Sequence, residues 1–258
     1  EITFLELCQA YVASKTYDHI NGLVFRSSNG EVVKTAPRER IVDINEIPVP
    51  AWDLLPPAKH YFIQASRGCP FSCKFCMNPN GKSVRHRTSE SIIAEISDLA
   101  SKQGAKLITY GDEIFTVDLP WVKDLVREKI KHNVHKMVEW KATTHVRFLD
   151  DELAELMKAS NCSGVGLGIE TGSEEHLKKV GKGTTLEMML SARACAKRAN
   201  LWVETFAILG QIDETPESLN DTINLIVRLN PELPIFGIMV PYPGTEVARL
   251  AARGEGGY

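Results

Sequence analysis

From Tyr61 onward, short runs of apolar and β-branched residues alternate with longer amphipathic stretches. Six of the short runs predict strands: 61–66 (YFIQAS), 106–110 (KLITY), 138–143 (VEWKAT), 164–169 (GVGLGI), 202–209 (WVETFAIL) and 234–240 (PIFGIMV). Between them apolar residues recur three and four positions apart, the spacing of helices buried along one side. Ile92, Ile93, Ile96 and Leu99 form one stripe, and Val122, Leu125, Val126 and Ile130 a second. Leu149, Leu153, Leu156 and Met157 give a third, and Leu219, Ile223, Ile226 and Val227 a fourth. Helix starts are marked as well: Asp118 precedes Pro120, Thr184 and Glu187 have capping-box spacing, and Thr215 precedes Pro216. Such alternation predicts an α/β fold with parallel strands joined by right-handed crossovers. An open doubly wound sheet or a barrel-like closure would satisfy it. Six repeats, not eight, fit a partial (β/α)6 TIM-like barrel, in which chemistry gathers at the C-terminal ends of the strands.

Upstream of Tyr61 the rhythm differs. Residues 1–17 have helical spacing, with Ile2, Leu5 and Tyr11 or Val12 as the apolar stripe. Residues 20–42 predict a small β element: Gly22 to Arg26, a turn at Ser27-Ser28-Asn29-Gly30, then Glu31 to Val33. Residues 43–60 carry four prolines and little periodicity, the mark of a linker and a domain boundary. The expected organisation is an N-terminal element at 1–42, a linker at 43–60 and a main domain at 61–258.

Charge and cysteine usage narrow the class. Thirty Lys and Arg against 33 Asp and Glu leave a net charge of −3, so electrostatics point to neither a nucleic-acid nor a membrane-surface partner. No apolar run reaches the roughly 18 residues of a membrane-spanning helix. No signal peptide opens the chain, which begins with Glu1 and reads as a fragment. Of the six cysteines, Cys69, Cys73 and Cys76 fall within eight residues, unlike a disulfide-rich secreted module. This predicts a reducing, cytoplasmic setting. Cys8, Cys162 and Cys195 stand among apolar or small residues and are expected to be small buried side chains.

The cysteine triplet follows directly on the first predicted strand, in Ser66-Arg67-Gly68-Cys69-Pro70-Phe71-Ser72-Cys73-Lys74-Phe75-Cys76. Its spacing is C-x3-C-x2-C with no fourth cysteine nearby. Iron–sulfur clusters normally take four thiolates. Three would leave one iron without a protein ligand, and an open coordination position is where substrate chemistry occurs. Cys69, Cys73 and Cys76 are therefore candidate ligands of a [4Fe–4S] cluster. A structural zinc site is the alternative, with His86 as the nearest fourth ligand. Zinc ligands usually come as paired C-x2-C knuckles, which this lopsided triplet is not. His86 itself lies in a basic stretch, Lys82 to Arg87, expected to be a solvated loop.

The C-x3-C-x-aromatic-C pattern, with Phe75 before the last cysteine, resembles the radical S-adenosylmethionine (radical SAM) enzymes. The resemblance covers residues 61–258. It implies that Cys69, Cys73 and Cys76 hold a [4Fe–4S] cluster whose open iron binds S-adenosyl-L-methionine. Reductive cleavage would then give a 5′-deoxyadenosyl radical that abstracts hydrogen from a substrate. Gly111-Asp112-Glu113, after the second strand, resembles the family's Gly-Gly-Glu element, with Asp112 in place of a Gly. Either Asp112 or Glu113 would then meet the methionyl ammonium. Gly166-Leu-Gly-Ile-Glu170-Thr171-Gly172 resembles Gly-Ile-Glu-Ser-Gly, whose carboxylate faces the cofactor. The resemblance thus makes Phe75, Gly111, Asp112, Glu113 and Glu170 candidate cofactor contacts. After the fifth strand, Gly210-Gln-Ile-Asp-Glu214-Thr215 departs from Leu-Gly-x-Pro-Gly-Glu-Thr, and Glu214-Thr215 is expected to start the next helix.

Pro241-Tyr-Pro-Gly-Thr245, Arg147-Phe-Leu-Asp-Asp-Glu-Leu153 and Pro48-Val-Pro-Ala-Trp-Asp53 resemble the branch of the family with an N-terminal cobalamin-binding domain. That implies a remnant of such a domain at the N-terminus. No Asp-x-His-x-x-Gly motif is present, so cobalamin is expected only in the full-length protein. The branch implies methyl transfer or ring formation on a small-molecule substrate, with an electron donor such as flavodoxin or ferredoxin. A radical SAM methylthiotransferase is a second enzyme reading, and a non-catalytic zinc protein a reading from another class.

Overall fold

All six predicted strands form, shifted by no more than a few residues, and each carries β-branched residues that a pleated surface favours. In the computed structural model, which describes all 258 residues, two compact units divide between Pro48 and Val49, inside the proline-rich stretch. The smaller holds helix α1 (Ile2–Val12) and an antiparallel pair, β1 (Val24–Arg26) with β2 (Val32–Lys34), turned at Gly30. Only Ala10 of α1 is buried; Ile2, Leu5, Tyr11 and Val12, the expected buried stripe, are exposed, as is Cys8. A unit this small has too little surface to cover them. Arg38 instead holds the unit together through Glu6, Thr3 and the Asn21 carbonyl.

In the larger unit the chain runs β3 (His60–Ile63), β4 (Ser66–Arg67), β5 (Arg85–His86), α2 (Ser89–Lys102), β6 (Leu107–Tyr110), α3 (Leu119–Lys131) and β7 (Glu139–Thr144). It continues with α4 (Asp151–Ala159), β8 (Cys162–Glu170), α5 (Glu174–Val180), α6 (Leu186–Arg198), β9 (Trp202–Leu209), α7 (Pro216–Leu229), β10 (Leu233–Ile238) and α8 (Glu246–Ala252). Six strands form one parallel sheet in the order β10-β9-β8-β7-β6-β3. Strands β3 and β10 have one neighbour each, so the barrel stays incomplete, as its six repeats predict. No helix is long and apolar enough to cross a membrane.

One face of the sheet carries the core. Along β7, Trp140, Ala142 and Thr144 are buried against the helices while Glu139, Lys141 and Thr143 look the other way. Tyr110 stacks on Phe115 at 4.5 Å, and Trp140 meets both at 5.5 and 5.4 Å. Trp52 packs edge-on to Tyr61 at 5.4 Å and donates its indole N–H to Glu95 at 2.9 Å, anchoring the proline-rich stretch at one residue while its neighbours stay exposed. Asp118 and Thr215 cap α3 and α7 as expected, the latter in a full capping box with Ser218.

Several helix details differ from the sequence pattern. The cap of α6 is Thr185, bonded to Met188 N, and not Thr184. Leu149 is buried ahead of α4, whose cap is Asp150. On α7 the buried face is Ser218, Thr222, Leu225, Ile226 and Leu229, leaving Ile223 and Val227 in solvent. The hydroxyl of Thr222 explains the rotation: it takes a hydrogen bond from Gly172 N at 3.0 Å and meets Thr171 Oγ1 at 3.1 Å, turning a polar stripe inward. The stretch Lys82 to Arg87 is no solvated loop either. Arg85 and His86 pair with Arg67 and Ser66, and Arg87 forms an ion pair with buried Glu95.

On α3, Lys129 takes the fully buried position beside Val122, Leu125 and Val126 where Ile130 was expected. Its Nζ lies 4.2 Å from the Trp140 ring centroid and 3.4 Å from Tyr110 Oη. Burial pulls its pKa down from 10.5 to about 7. The unfolded chain therefore binds more protons than the fold between pH 7 and 10.5, and Lys129's contribution to stability rises with pH across that window. Lys129→Met should raise the urea midpoint most at pH 7 or below and progressively less toward pH 10. An equal gain at both ends would show that Lys129 is not neutralised by the fold.

Candidate active site

Past Ile63 the chain leaves the sheet and makes a loop that β4 and β5 close at its base. Gly68 sits at φ +107°, and a Cβ there would lie 2.2 Å from the Ser83 carbonyl oxygen, so no other residue fits this crossing. The loop's path is pinned by its own backbone. Cys69 N donates to Gly81 O at 2.9 Å, the Asn78 amide donates to Cys69 O at 2.7 Å, and Cys76 N donates to Cys73 O at 3.0 Å. Outside contacts hold it too: Lys74 N bonds Val180 O at 3.0 Å, and Glu246 N bonds Lys74 O at 3.1 Å. Phe75 is half-buried against the small apolar cluster of Ile212, Met239 and Val247, an anchor for the loop.

The three thiols lie within electrostatic reach of one another. Cys69 and Cys73 are half-buried and Cys76 exposed, with Asn78 N donating to Cys76 Sγ at 3.3 Å. Burial pushes the Cys73 thiol up to about 11, with Lys182 opposing the shift and Glu170 adding to it. Burial raises Cys69 as well. Bound iron would reverse that balance, since metal coordination deprotonates thiols.

The ends of the next strands surround this loop. Gly111 N bonds Ile63 O at 2.8 Å and starts the turn after β6. Asp112 is buried, and its carboxylate accepts from Ala65 N at 2.8 Å and Ser66 Oγ at 2.6 Å. Burial lifts its pKa to about 7 against the pull of those donors. Glu113 takes the cysteine loop instead: Gly68 N donates to its Oε2 at 3.2 Å and the Asn80 amide to its Oε1. Of the two carboxylates, Asp112 ties one strand end to another, whereas Glu113 spans the base of the loop.

Glu170 ends β8 at φ +61°, a left-handed conformation costing a residue with a Cβ roughly 1–2 kcal/mol. A shift in the β8–β9 register between Gly168 and Glu170 accompanies it. The buried carboxylate pairs with Lys182 Nζ at 2.5 Å, and the same ammonium donates to Gly168 O at 2.6 Å. A Cβ on Gly168 would come within 2.4 Å of that nitrogen, so the glycine makes room for the pair. Nothing in the spacing marked Lys182, although its setting between Gly181 and Gly183, both at positive φ, is a local signal. Beside it, just past β7, His145 stacks on Phe71 of the cysteine loop with centroids 4.5 Å apart and planes 5° from parallel. Burial, then the charges of Lys182 and Arg147, lower its pKa to about 4, so the ring is neutral. Arg147 N donates to Nδ1 at 3.2 Å, which places the proton on Nε2, a buried atom with no hydrogen bond of ordinary geometry.

Gly210 and Glu214 have local roles: Gly210 N donates to Glu214 Oε2 at 2.6 Å, and Thr215 caps α7. Thr245 caps α8, next to the Glu246–Lys74 contact. The donor set suits an iron–sulfur cluster. Three soft ligands lie on one loop, a backbone N–H already points at one sulfur, and a buried neutral imidazole stands alongside. No three His, Cys, Asp or Glu side chains converge as chelation of a single ion would need.

Comparison with known proteins agrees with this arrangement. Residues 63–226 match the family model described as the radical SAM superfamily. An uncharacterized methyltransferase of Pyrococcus horikoshii is 33% identical over 97% of this chain and 56% of its own length. The anaerobic magnesium-protoporphyrin IX monomethyl ester cyclase of Rubrivivax gelatinosus is 27% identical over 88% of this chain and 43% of its own. The chain thus spans about half the length of these relatives. Among solved structures, the radical S-adenosylmethionine methyltransferase TsrM of Kitasatospora setae, with cobalamin and a [4Fe–4S] cluster bound, superposes with a TM-score of 0.77 at 20% identity. That match covers 98% of this chain and 52% of TsrM, and shares the incomplete barrel. The family match spans most of the main unit and includes every candidate ligand, and with it the chain belongs to the radical SAM superfamily.

Proposed function

We propose that the full-length protein uses a [4Fe–4S] cluster at Cys69, Cys73 and Cys76 to cleave S-adenosyl-L-methionine reductively and act on a small-molecule substrate. One observation carries this reading: a three-thiol loop lies against the strand ends that present Glu113, His145 and the Glu170–Lys182 pair. Bound there, the cluster and S-adenosyl-L-methionine would supply an electron and a 5′-deoxyadenosyl radical. The chain's own residues bind and orient. Glu113 holds both ends of the cysteine loop and offers its remaining lone pairs to an ammonium. Glu170 and Lys182 together present opposite charges, matching a zwitterionic methionyl group. His145, neutral with its proton on Nε2, stacks on Phe71 and adds no charge beside the thiols. Asp112 fixes the strand ends from behind, so Glu113 is the stronger candidate of the two for cofactor contact.

Methyl transfer or ring formation is the reaction class proposed for the full-length protein, in line with the named activities of its relatives. Cobalamin is proposed only for the full-length protein, since this chain carries no Asp-x-His-x-x-Gly motif. The cytoplasm is the proposed setting, since all six cysteines are free thiols. An electron carrier such as flavodoxin or ferredoxin would complete the system.

After anaerobic reconstitution with iron and sulfide, the reduced chain should give a cluster EPR signal that changes shape on adding S-adenosyl-L-methionine. Cys73→Ala should lose the signal. Stoichiometric zinc with no iron uptake in well-folded protein would replace this reading with a structural metal site. Glu170→Gln should retain the cluster, yet weaken S-adenosyl-L-methionine binding roughly ten- to a hundredfold, as loss of one charge-assisted contact does. Unchanged affinity would reduce Glu170 to the structural partner of Lys182.

A further inference from the structure

The cysteine loop has a second face. A cavity of about 420 Å³ opens beside the loop, lined by Cys73, Cys76 and Met77 and by Phe71, whose ring also stacks on His145. Its rim carries Lys74, Lys82 and Arg249, and neither Glu113 nor Glu170 lines it. The one acidic residue in the rim, Glu246, is ion-paired to Arg249 at 2.7 Å, and Lys82 Nζ is held by Ser72 Oγ at 2.6 Å. The patch is therefore net positive on a chain whose overall charge is −3. At its centre Met77 is 53% exposed beside the exposed Cys76, an adaptable apolar side chain set among charges.

We propose that this outer face, Lys74, Lys82 and Arg249 around Met77, is the docking surface for an acidic one-electron carrier protein. The proposal rests on the cluster reading above, because it is the cluster's thiolate ligands that come to the surface here. Charge complementarity selects the partner: a positive rim on an acidic chain repels other copies less at this face than elsewhere and attracts an acidic protein. Electron-transfer encounters need only a small contact, below about 1,200 Å², with a charged rim and an apolar centre. In the exchange, one electron leaves the carrier's reduced flavin and arrives at the cluster, with no bond formed or broken. Glu113 and Glu170 do not line this cavity, so a carrier seated on its rim would not touch their carboxylates. Nucleic acid would also meet a basic rim, and oligonucleotide binding separates it from the carrier.

The test compares wild type, Lys74→Glu/Lys82→Glu and, as a control at a remote exposed position, Lys102→Glu. Reduction of the reconstituted chain is followed by absorbance with two donors: an acidic flavodoxin in its hydroquinone state, and photoreduced 5-deazariboflavin, a small uncharged donor. The double variant should lose at least about tenfold in rate with flavodoxin at low salt and nothing with deazariboflavin, and the wild-type flavodoxin rate alone should fall steeply as salt is raised. Independently of loading, oxidised flavodoxin should bind the iron-free chain more weakly in the double variant than in wild type or Lys102→Glu. Equal flavodoxin rates and affinities in all three proteins would overturn the proposal. So would equal slowing with both donors, or loss of oligonucleotide binding with flavodoxin behaviour intact. Failure of wild type to take up a cluster would instead sink the functional reading, leaving the binding comparison to judge the surface.

Discussion

The buried pair of Glu170 and Lys182 is the constraint on which the end of β8 depends. Two charges removed from water are stable only when they satisfy each other and their remaining donors. Here the ammonium has both the Glu170 carboxylate and the Gly168 carbonyl. Removing either partner would strand a buried charge, so the pair fixes the end of β8 relative to the turn between α5 and α6. That turn lies next to Val180, whose carbonyl receives Lys74 N from the cysteine loop. A strained backbone at Glu170, a glycine at 168 and the placement of three thiols are thus parts of one arrangement.

The sheet makes this possible by how little it puts in the way. Strand β8 is buried along nearly its whole length, and glycines recur at 164, 166 and 168. Where a side chain at Gly166 would meet Phe206 at 2.7 Å, the glycine lets the neighbouring strand's ring lie across the chain. On the opposite face Trp140, Tyr110 and Phe115 form the aromatic centre of the core. The division leaves polar groups free to collect at the strand ends.

Much of this was legible in the chain because the signals are local. Runs such as Trp202 to Leu209 have the period and composition of strands whatever surrounds them, and the cysteine spacing is unchanged by folding. Asp118 and Thr215 mark helix starts for the same reason. What escaped was set by distant partners or by very short segments. Helix α5 has seven residues and only His176, Leu177 and Val180 to bury, too few to show a period. Strands β4 and β5 have two residues each and gain meaning only by pairing across the cysteine loop. Thr184 and Thr185 are chemically equivalent caps, so register between them is decided by where α6 packs. Lys182 and His145 became visible as candidate site residues only when the fold brought them to Glu170 and Phe71, and the polar inward face of α7 depends on a glycine fifty positions earlier.

Glu113 carries one further implication. Its two oxygens are held by Gly68 and Asn80, residues twelve apart in sequence, while a carboxylate has lone pairs to spare. Any cation that engages Glu113 therefore acts on the same group that staples the loop. By thermodynamic reciprocity, the factor by which a loaded cluster would change affinity for the cation at Glu113 is the factor by which that cation would change affinity for the cluster. Iron loading and cofactor capture would then be two readings of a single coupling energy, transmitted through one side chain.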